Sequence, residues 1–277
     1  LTKPIVDFDE AARDAALCDD PISNLSLMSE MIDGIHRGQL MLHYQPKHDF
    51  RAACISSVEA LVRWTHPTRG RVEPDLFVTI AEQTGHIGAL TEWSLIRAIG
   101  DQMRMTEAGH DLRVSVNLSG RLVGDDAFTE MAIGLVQNAG ARLCLEITET
   151  AAMNDPEAAR ANIARYSKAG ILIAIDDYGA GLASLSYLHD IRAQELKLDK
   201  SFLQTLGAGQ CDVVRIKSTI DLAHGLGMKV TAEGVESEAM MTLLVGMGCD
   251  AAQGYFIGKA APVEDLIELL ERRGANA

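Results

Sequence analysis

Two periodicities alternate along the chain. Short aliphatic and β-branched runs end on polar tips; each is followed by a longer stretch with apolar residues at helical spacing, and commonly by a glycine. The runs predict strands at residues 40–44, 55–64, 112–118, 143–148, 171–176, 195–198, 229–232 and 251–255. Helices are predicted at 23–37, 76–85 with 90–108, 127–138, 157–169, 184–191, 213–226 and 238–247, with 266–272 closing the chain. In the first of these, Leu25, Leu27, Met28, Met31, Ile32 and Ile35 recur on one helical face. Gly38, Gly140, Gly170, Gly227 and Gly248 fall just past helices, where a left-handed cap is favoured. Strands alternating with helices imply right-handed crossovers and a mainly parallel sheet. Eight such strands make an α/β fold of the (β/α)8, TIM-like barrel type the leading architecture, ahead of an open doubly wound sheet. The gap between Tyr44 and Ile55 is too short for a crossover helix, so the first strand pair is expected to be antiparallel. Residues 1–22 are mixed and acidic and read as a linker or arm, leaving 23–277 as one barrel domain.

Composition adjusts this picture in a few places. With 277 residues, 47% of them hydrophobic, the chain can bury a core of barrel size. A formal net charge of -14 argues against binding to long nucleic acid, which depends on cationic side chains at phosphates. Five scattered cysteines, none in a Cys-x-x-Cys pair, suggest neither a disulfide framework nor a zinc cluster and point to reduced, cytoplasmic thiols. No apolar run reaches the roughly 18 residues a membrane helix needs, and no signal segment is visible. The chain opens on Leu1 rather than methionine and so reads as a piece of a longer or processed protein, which could be membrane-anchored through parts not present.

The candidate chemistry centres on Leu172–Gly179, where an apolar run stops on the adjacent carboxylates Asp176 and Asp177. Two like charges at a strand end call for a cation, a basic side chain or a helix terminus to offset them. In a barrel, function sits at the C-terminal strand ends. Those ends carry Gln45, Glu59 with Arg63, Asn117, Glu146 with Glu149, Asp176 with Asp177, Lys197 with Asp199, Glu233 with Glu236, and Gln253. One polar residue beyond an apolar run is ordinarily a solvated strand end, but this concentration on one predicted rim favours a site. Oxygen ligands without histidine or cysteine suit magnesium, manganese or calcium. Glu59, Asn117, Glu146 and Asp176 would hold one cation; Asp177 and Glu233 would hold a second, with Asp176 between the two. Two cations about 3.5–4 Å apart suit in-line displacement at phosphorus, which makes phosphodiester hydrolysis the expected reaction.

The ordered segments Tyr44-Gln45-Pro46, Glu59-Ala60-Leu61-Val62-Arg63-Trp64, Ser115-Val116-Asn117-Leu118-Ser119, Glu146-Ile147-Thr148-Glu149, Asp176-Asp177-Tyr178-Gly179-Ala180-Gly181, Lys197-Leu198-Asp199-Lys200-Ser201-Phe202, Ala232-Glu233-Gly234-Val235-Glu236 and Gln253-Gly254-Tyr255 resemble the successive signatures of EAL domains. The resemblance covers about residues 28–270. It implies a bacterial cyclic di-GMP phosphodiesterase that opens one ester bond to give linear pGpG with two divalent cations, Mg2+ or Mn2+; Ca2+ would occupy the site without supporting turnover. It also implies Lys197 as proton acceptor or orienter of the hydrolytic water, and catalytic parts for Glu59 and Glu233 through the metals. Gln45, Arg63, Asp199 and Gln253 look like substrate contacts, with Tyr255 stacking on a guanine. Glu149 is expected to brace the loop after the aspartates, with Glu236 in a similar supporting role. A homodimer and an upstream sensory or diguanylate-cyclase-type domain are expected by resemblance only. Tyr178, Ala180, Leu182 and Ala183 depart from the family pattern in that loop, which bears on its bracing and regulation more than on the metal ligands.

Two further readings compete. A cyclic di-GMP receptor that no longer cuts its ligand would have lost metal ligands, and none is missing here. A Schiff-base aldolase with Lys197 as nucleophile wants a desolvated lysine without a crowd of carboxylates.

Overall fold

A computed structural model describes residues 21–148, 156–179, 191–204 and 210–274. The predicted helix at 184–191 (Ile191 apart), the residues Glu149, Ala180, Leu182 and Ala183, and nearly all of the expected N-terminal arm lie outside the described residues. Two compact units are distinguished: one combines Leu1–Met41 with Val62–Trp93, the other Leu42–Leu61 with Ser94–Ala277.

The smaller unit holds helix α1 (Pro21–His36), the end of β2 (Cys54–His66), β3 (Gly70–Val72) and α2 (Pro74–Thr84). Pro74 opens α2, where its missing N–H is harmless. Gly85 closes it in a left-handed conformation that donates back to the Ala81 and Glu82 carbonyls. Leu27, Met28 and Met31 of α1 and Phe77, Ile80 and Ala81 of α2 are buried, and the two helices pack together. Trp64 anchors this core, edge-on to Phe77 with ring centroids 5.7 Å apart. The three-residue β3, antiparallel to the end of β2, was not expected. It is too short to show a period.

The larger unit is the barrel. Its strands are β1 (Leu40–Asp49) from Leu42 onward, the first part of β2, β4 (Arg113–Asn117), β5 (Leu143–Thr148), β6 (Leu172–Tyr178), β7 (Glu195–Leu198), β8 (Lys229–Ala232) and β9 (Ala251–Gln253). Helices α3 (Ile87–Glu107) from Ser94 onward, α4 (Gly120–Val123), α5 (Asp126–Ala139), α6 (Pro156–Lys168), α7 (Lys200–Gln204), α8 (Gln210–Gly225), α9 (Glu238–Gly246) and α10 (Val263–Gly274) alternate with them. Pairing runs β1-β9-β8-β7-β6-β5-β4-β2, and a β1–β2 pairing closes the ring of eight. Seven strands are parallel, whereas β1 runs antiparallel to β9 and therefore against β2 as well, as the short 44–55 gap predicted. Among the described residues, no helix is long and apolar enough to cross a membrane.

Alternation along the strands positions everything else. Val114 and Val116, Leu145 and Ile147, Ile173 and Ile175, Leu196 and Leu198, and Val230 and Ala232 are buried at every second position, forming the apolar layer under the helices. The positions between them face the barrel axis and are largely polar. β1 extends five residues beyond its predicted end. Pro46 and Lys47 interrupt the apolar run, yet pairing with β9 begins only at Lys47, so the missing proline N–H costs no bond in that ladder. Outward-facing Tyr44 fixes the strand: its hydroxyl donates to Asp101 on α3 at 2.8 Å, and Asp101 also pairs with Arg97 and Arg104.

Candidate active site

The axial positions nearest the C-terminal strand ends bring the predicted residues together. Lys197 on β7, 1% exposed, stands at the centre. Its ammonium lies 2.6 Å from Glu146 Oε2 on β5, 2.9 Å from Asp176 Oδ1 on β6, 2.8 Å from Glu233 Oε1 just past β8, and 3.4 Å from Glu59 Oε2 on β2. Asn117 donates to Glu59 Oε1 at 3.0 Å. Gln253 donates to Glu59 Oε2 at 2.7 Å and to Gln45 Oε1 at 3.0 Å, and Gln45 in turn donates to the Gly258 carbonyl.

Two carboxylate triads emerge. Glu59, Glu146 and Asp176 place one oxygen each within 4.8 Å of one another, and so do Asp176, Asp177 and Glu233. Asp176 belongs to both. The second triad depends on a local irregularity, because adjacent residues of a regular strand face opposite sides. Between Ile175 and Tyr178 the register against β7 slips by one residue, and Asp177 adopts a left-handed φ of 54°. The extra residue re-aims the chain, as bulges do beside active sites, and aspartate tolerates this conformation better than most side chains. The Asp177 N–H donates to Asp176 Oδ1 at 3.0 Å, steadying the pair.

The charge balance of the cluster is uneven. Burial opposes the Lys197 ammonium, but Glu146, Glu59, Glu233 and Asp176 outweigh it and hold its pKa well above the ordinary lysine value. Burial likewise works against the Glu146 carboxylate, yet Lys197 and Lys47 pull its pKa down to about 2. Asp176 goes the other way: burial, with Glu146, Glu233 and Glu59 adding repulsion against the help of Lys197, pushes it up to about 8. Burial also raises Glu233 and Asp177. Such a set of crowded, oxygen-only donors, short of positive charge, fits hard divalent cations.

The remaining predicted residues are placed less centrally. Asp199 accepts from the Ser201 N–H at 2.9 Å and starts α7. Tyr255 is 65% exposed, with the Lys259 ammonium 5.2 Å above its ring. Glu236 is exposed on the turn into α9. Arg63 lies on the part of β2 in the smaller unit and donates to the Val62 carbonyl at 2.8 Å. Past the aspartates, Gly179 is held at φ 102°, and a Cβ there would sit 1.6 Å from the Phe202 ring of α7. Phe202 is itself covered by the Arg215 guanidinium.

The deeper axial level was not anticipated. Lys47 on β1, 1% exposed, donates to Glu146 Oε1 at 2.5 Å and Ser115 Oγ at 3.1 Å and lies 3.5 Å from Glu195 Oε1. Thr231 donates to Glu195 at 2.6 Å. The signal was available in the period of two: Ser115, Glu195 and Thr231 each precede a predicted rim residue by two positions, and Lys47 follows Gln45 by two on the reversed strand.

Comparison with known proteins gives the context. The family model described as the EAL domain matches residues 28–260. The chain is 36% identical over 251 residues to the bifunctional diguanylate cyclase/cyclic di-GMP phosphodiesterase MucR of Pseudomonas aeruginosa, a match covering 88% of this chain and 36% of MucR. It is also 36% identical over 245 residues to the uncharacterized protein Rv1354c of Mycobacterium tuberculosis, covering 87% of this chain and 39% of that one. The chain thus spans less than two-fifths of the length of these relatives. Among solved structures, the PaMucR phosphodiesterase in complex with c-di-GMP superposes with a TM-score of 0.81 at 35% identity, covering 87% of this chain and 99% of that one. The EAL enzyme Bd1971 bound to cAMP and cyclic di-GMP superposes with a TM-score of 0.82 at 26% identity, covering 90% and 69%. With the match extending over most of its length and its acidic barrel rim in place, the chain belongs to the EAL domain family.

Proposed function

We propose that this chain hydrolyses one phosphodiester bond of cyclic di-GMP, giving linear pGpG, with two divalent cations, Mg2+ or Mn2+. The observation that carries the reading is the pair of carboxylate triads sharing Asp176. Glu59, Asn117, Glu146 and Asp176 would hold one cation, and Asp176, Asp177 and Glu233 the other. When bound, the cations supply positive charge at the scissile phosphate and favour deprotonation of the attacking water. The protein's part is placement. Asn117 and Gln253 restrain Glu59 from two sides, and the β6 bulge turns both aspartates to the same level. Lys197, kept as an ammonium by its carboxylate neighbours, acts as a donor that orients the water. Gln45, Arg63, Asp199 and Gln253 contact the dinucleotide and Tyr255 stacks on a base, while Glu149 and Glu236 support the surrounding loops. Water adds to phosphorus as the P–O3′ bond breaks, leaving a 5′-phosphate and a 3′-hydroxyl. Within a longer protein the domain would act as the output that lowers cyclic di-GMP.

The test is to incubate the purified chain with cyclic di-GMP and either Mg2+ or Mn2+ and follow pGpG by chromatography. Product that disappears with a chelator is expected. Tight binding of cyclic di-GMP with no pGpG under either metal would identify a receptor instead.

A further inference from the structure

We infer that Lys47 is a positioning residue for the metal site, setting which oxygen of Glu146 is offered to a cation. The inference rests on reading Glu146 as a metal ligand and goes beyond it to a residue that reading does not include.

An ammonium has three N–H donors. Lys47 donates two hydrogen bonds, to Ser115 Oγ on β4 and Glu146 Oε1 on β5, and its ammonium lies 3.5 Å from Glu195 Oε1 on β7 as an ion pair. Glu195 is in turn held by the Thr231 hydroxyl from β8. These contacts reach across the barrel and restrain the side chain from three strands. Its consequence falls on Glu146, whose carboxylate is fully buried and engaged at both ends: Oε1 faces down to Lys47, and Oε2 faces up to Lys197 among the acidic residues. With Oε1 pinned, the carboxylate cannot rotate, and only Oε2 is presented to the level of Glu59 and Asp176. A lysine serving only to neutralise charge would not need a hydroxyl and two carboxylates from three separate strands. Partners that orient a ligand in this way typically change metal affinity by about 10–100-fold when lost.

The experiment measures Mn2+ binding directly, by calorimetry and by the paramagnetic resonance of free Mn2+, for the wild-type chain and Lys47→Met. Steady-state hydrolysis is followed as a function of Mn2+ in parallel. The expected result is a roughly tenfold or greater rise in the Mn2+ dissociation constant. At saturating Mn2+, kcat and the KM for cyclic di-GMP should return close to the wild-type values, a recovery that a damaged fold would not give. Should Lys47→Met fail to fold, Ser115→Ala removes one acceptor and Glu195→Gln removes the charge of another while both keep the ammonium, and a smaller loss of Mn2+ affinity in the same direction is expected. Unchanged Mn2+ affinity in Lys47→Met, or in both milder variants where that one does not fold, would overturn the inference. So would a wild-type chain that binds no Mn2+. A wild-type chain that binds Mn2+ but releases no pGpG would remove the hydrolase reading alone, because the binding comparison does not need turnover.

Discussion

Asp176 is the residue on which both carboxylate triads converge, so its removal tests the site most directly. Asp176→Ala is expected to lower pGpG formation by more than the roughly 10–100-fold typical of losing a supporting contact, because Asp176 is the proposed ligand to both cations and the carboxylate shared by the two triads. Its metal-free melting temperature should stay near that of the wild type, since the side chain lies at a strand end and the change relieves repulsion among carboxylates. Activity retained in Asp176→Ala would count against two cations. Arg63→Ala is expected to act differently, raising the KM for cyclic di-GMP about tenfold with little change in kcat, as loss of a charge-assisted phosphate contact should. At this scale the rim was legible from sequence because carboxylates and amides directly after apolar runs stand out. Lys47 was not, since the apolar run ends at Tyr44 and leaves a lysine after Gln45-Pro46 looking like a solvated strand exit, whereas β1 continues to Asp49 and carries it inward.

Two elements carry the site and can be perturbed separately. The bulge in β6 is followed by Gly179, whose left-handed backbone presses against Phe202. Gly179→Ala is expected to destabilise the chain by about 1–3 kcal/mol, through overpacking and backbone strain together. It should also reduce turnover, because Phe202 or the bulge must move; denaturant melts and pGpG rates on one preparation check both. Tyr44 anchors β1 from the outside, and Tyr44→Phe removes one hydrogen bond to a buried carboxylate that keeps Arg97 and Arg104. A loss of about 1–2 kcal/mol with hydrolysis preserved is expected. The strands β5, β7 and β8 match their predicted bounds because their apolar runs are bracketed by polar tips. The helices α4 and α7 were missed, being only 4 and 5 residues long, too short to display a period.

For the barrel as a whole, ligand binding should be visible as stability. A cation at 100 times its dissociation constant adds about 2.7 kcal/mol, which for a chain of this size raises the melting temperature by several degrees. Mn2+ is expected to produce that rise, a chelator to reverse it, and Asp176→Ala to show little of it, all by calorimetric scanning. The count of eight strands and the antiparallel first pair were legible because loop length alone forbade a crossover between Tyr44 and Ile55. The division into two compact units was not, because apolar periodicity reports that a helix is buried but not which core it is buried in.

The reversed course of β1 has a practical corollary. Since β1 descends while its neighbours ascend, the turn joining it to β2 emerges at the pole of the barrel away from the acidic rim. There Asp49 Oδ1 accepts from the backbone N–H groups of Arg51 and Ala52, Ala53 is left-handed, and the Cys54 thiol is exposed. A short glycine-serine graft after Arg51, or a fluorophore on Cys54, should therefore be carried without loss of pGpG production, offering a handle for surface immobilisation or energy-transfer measurements.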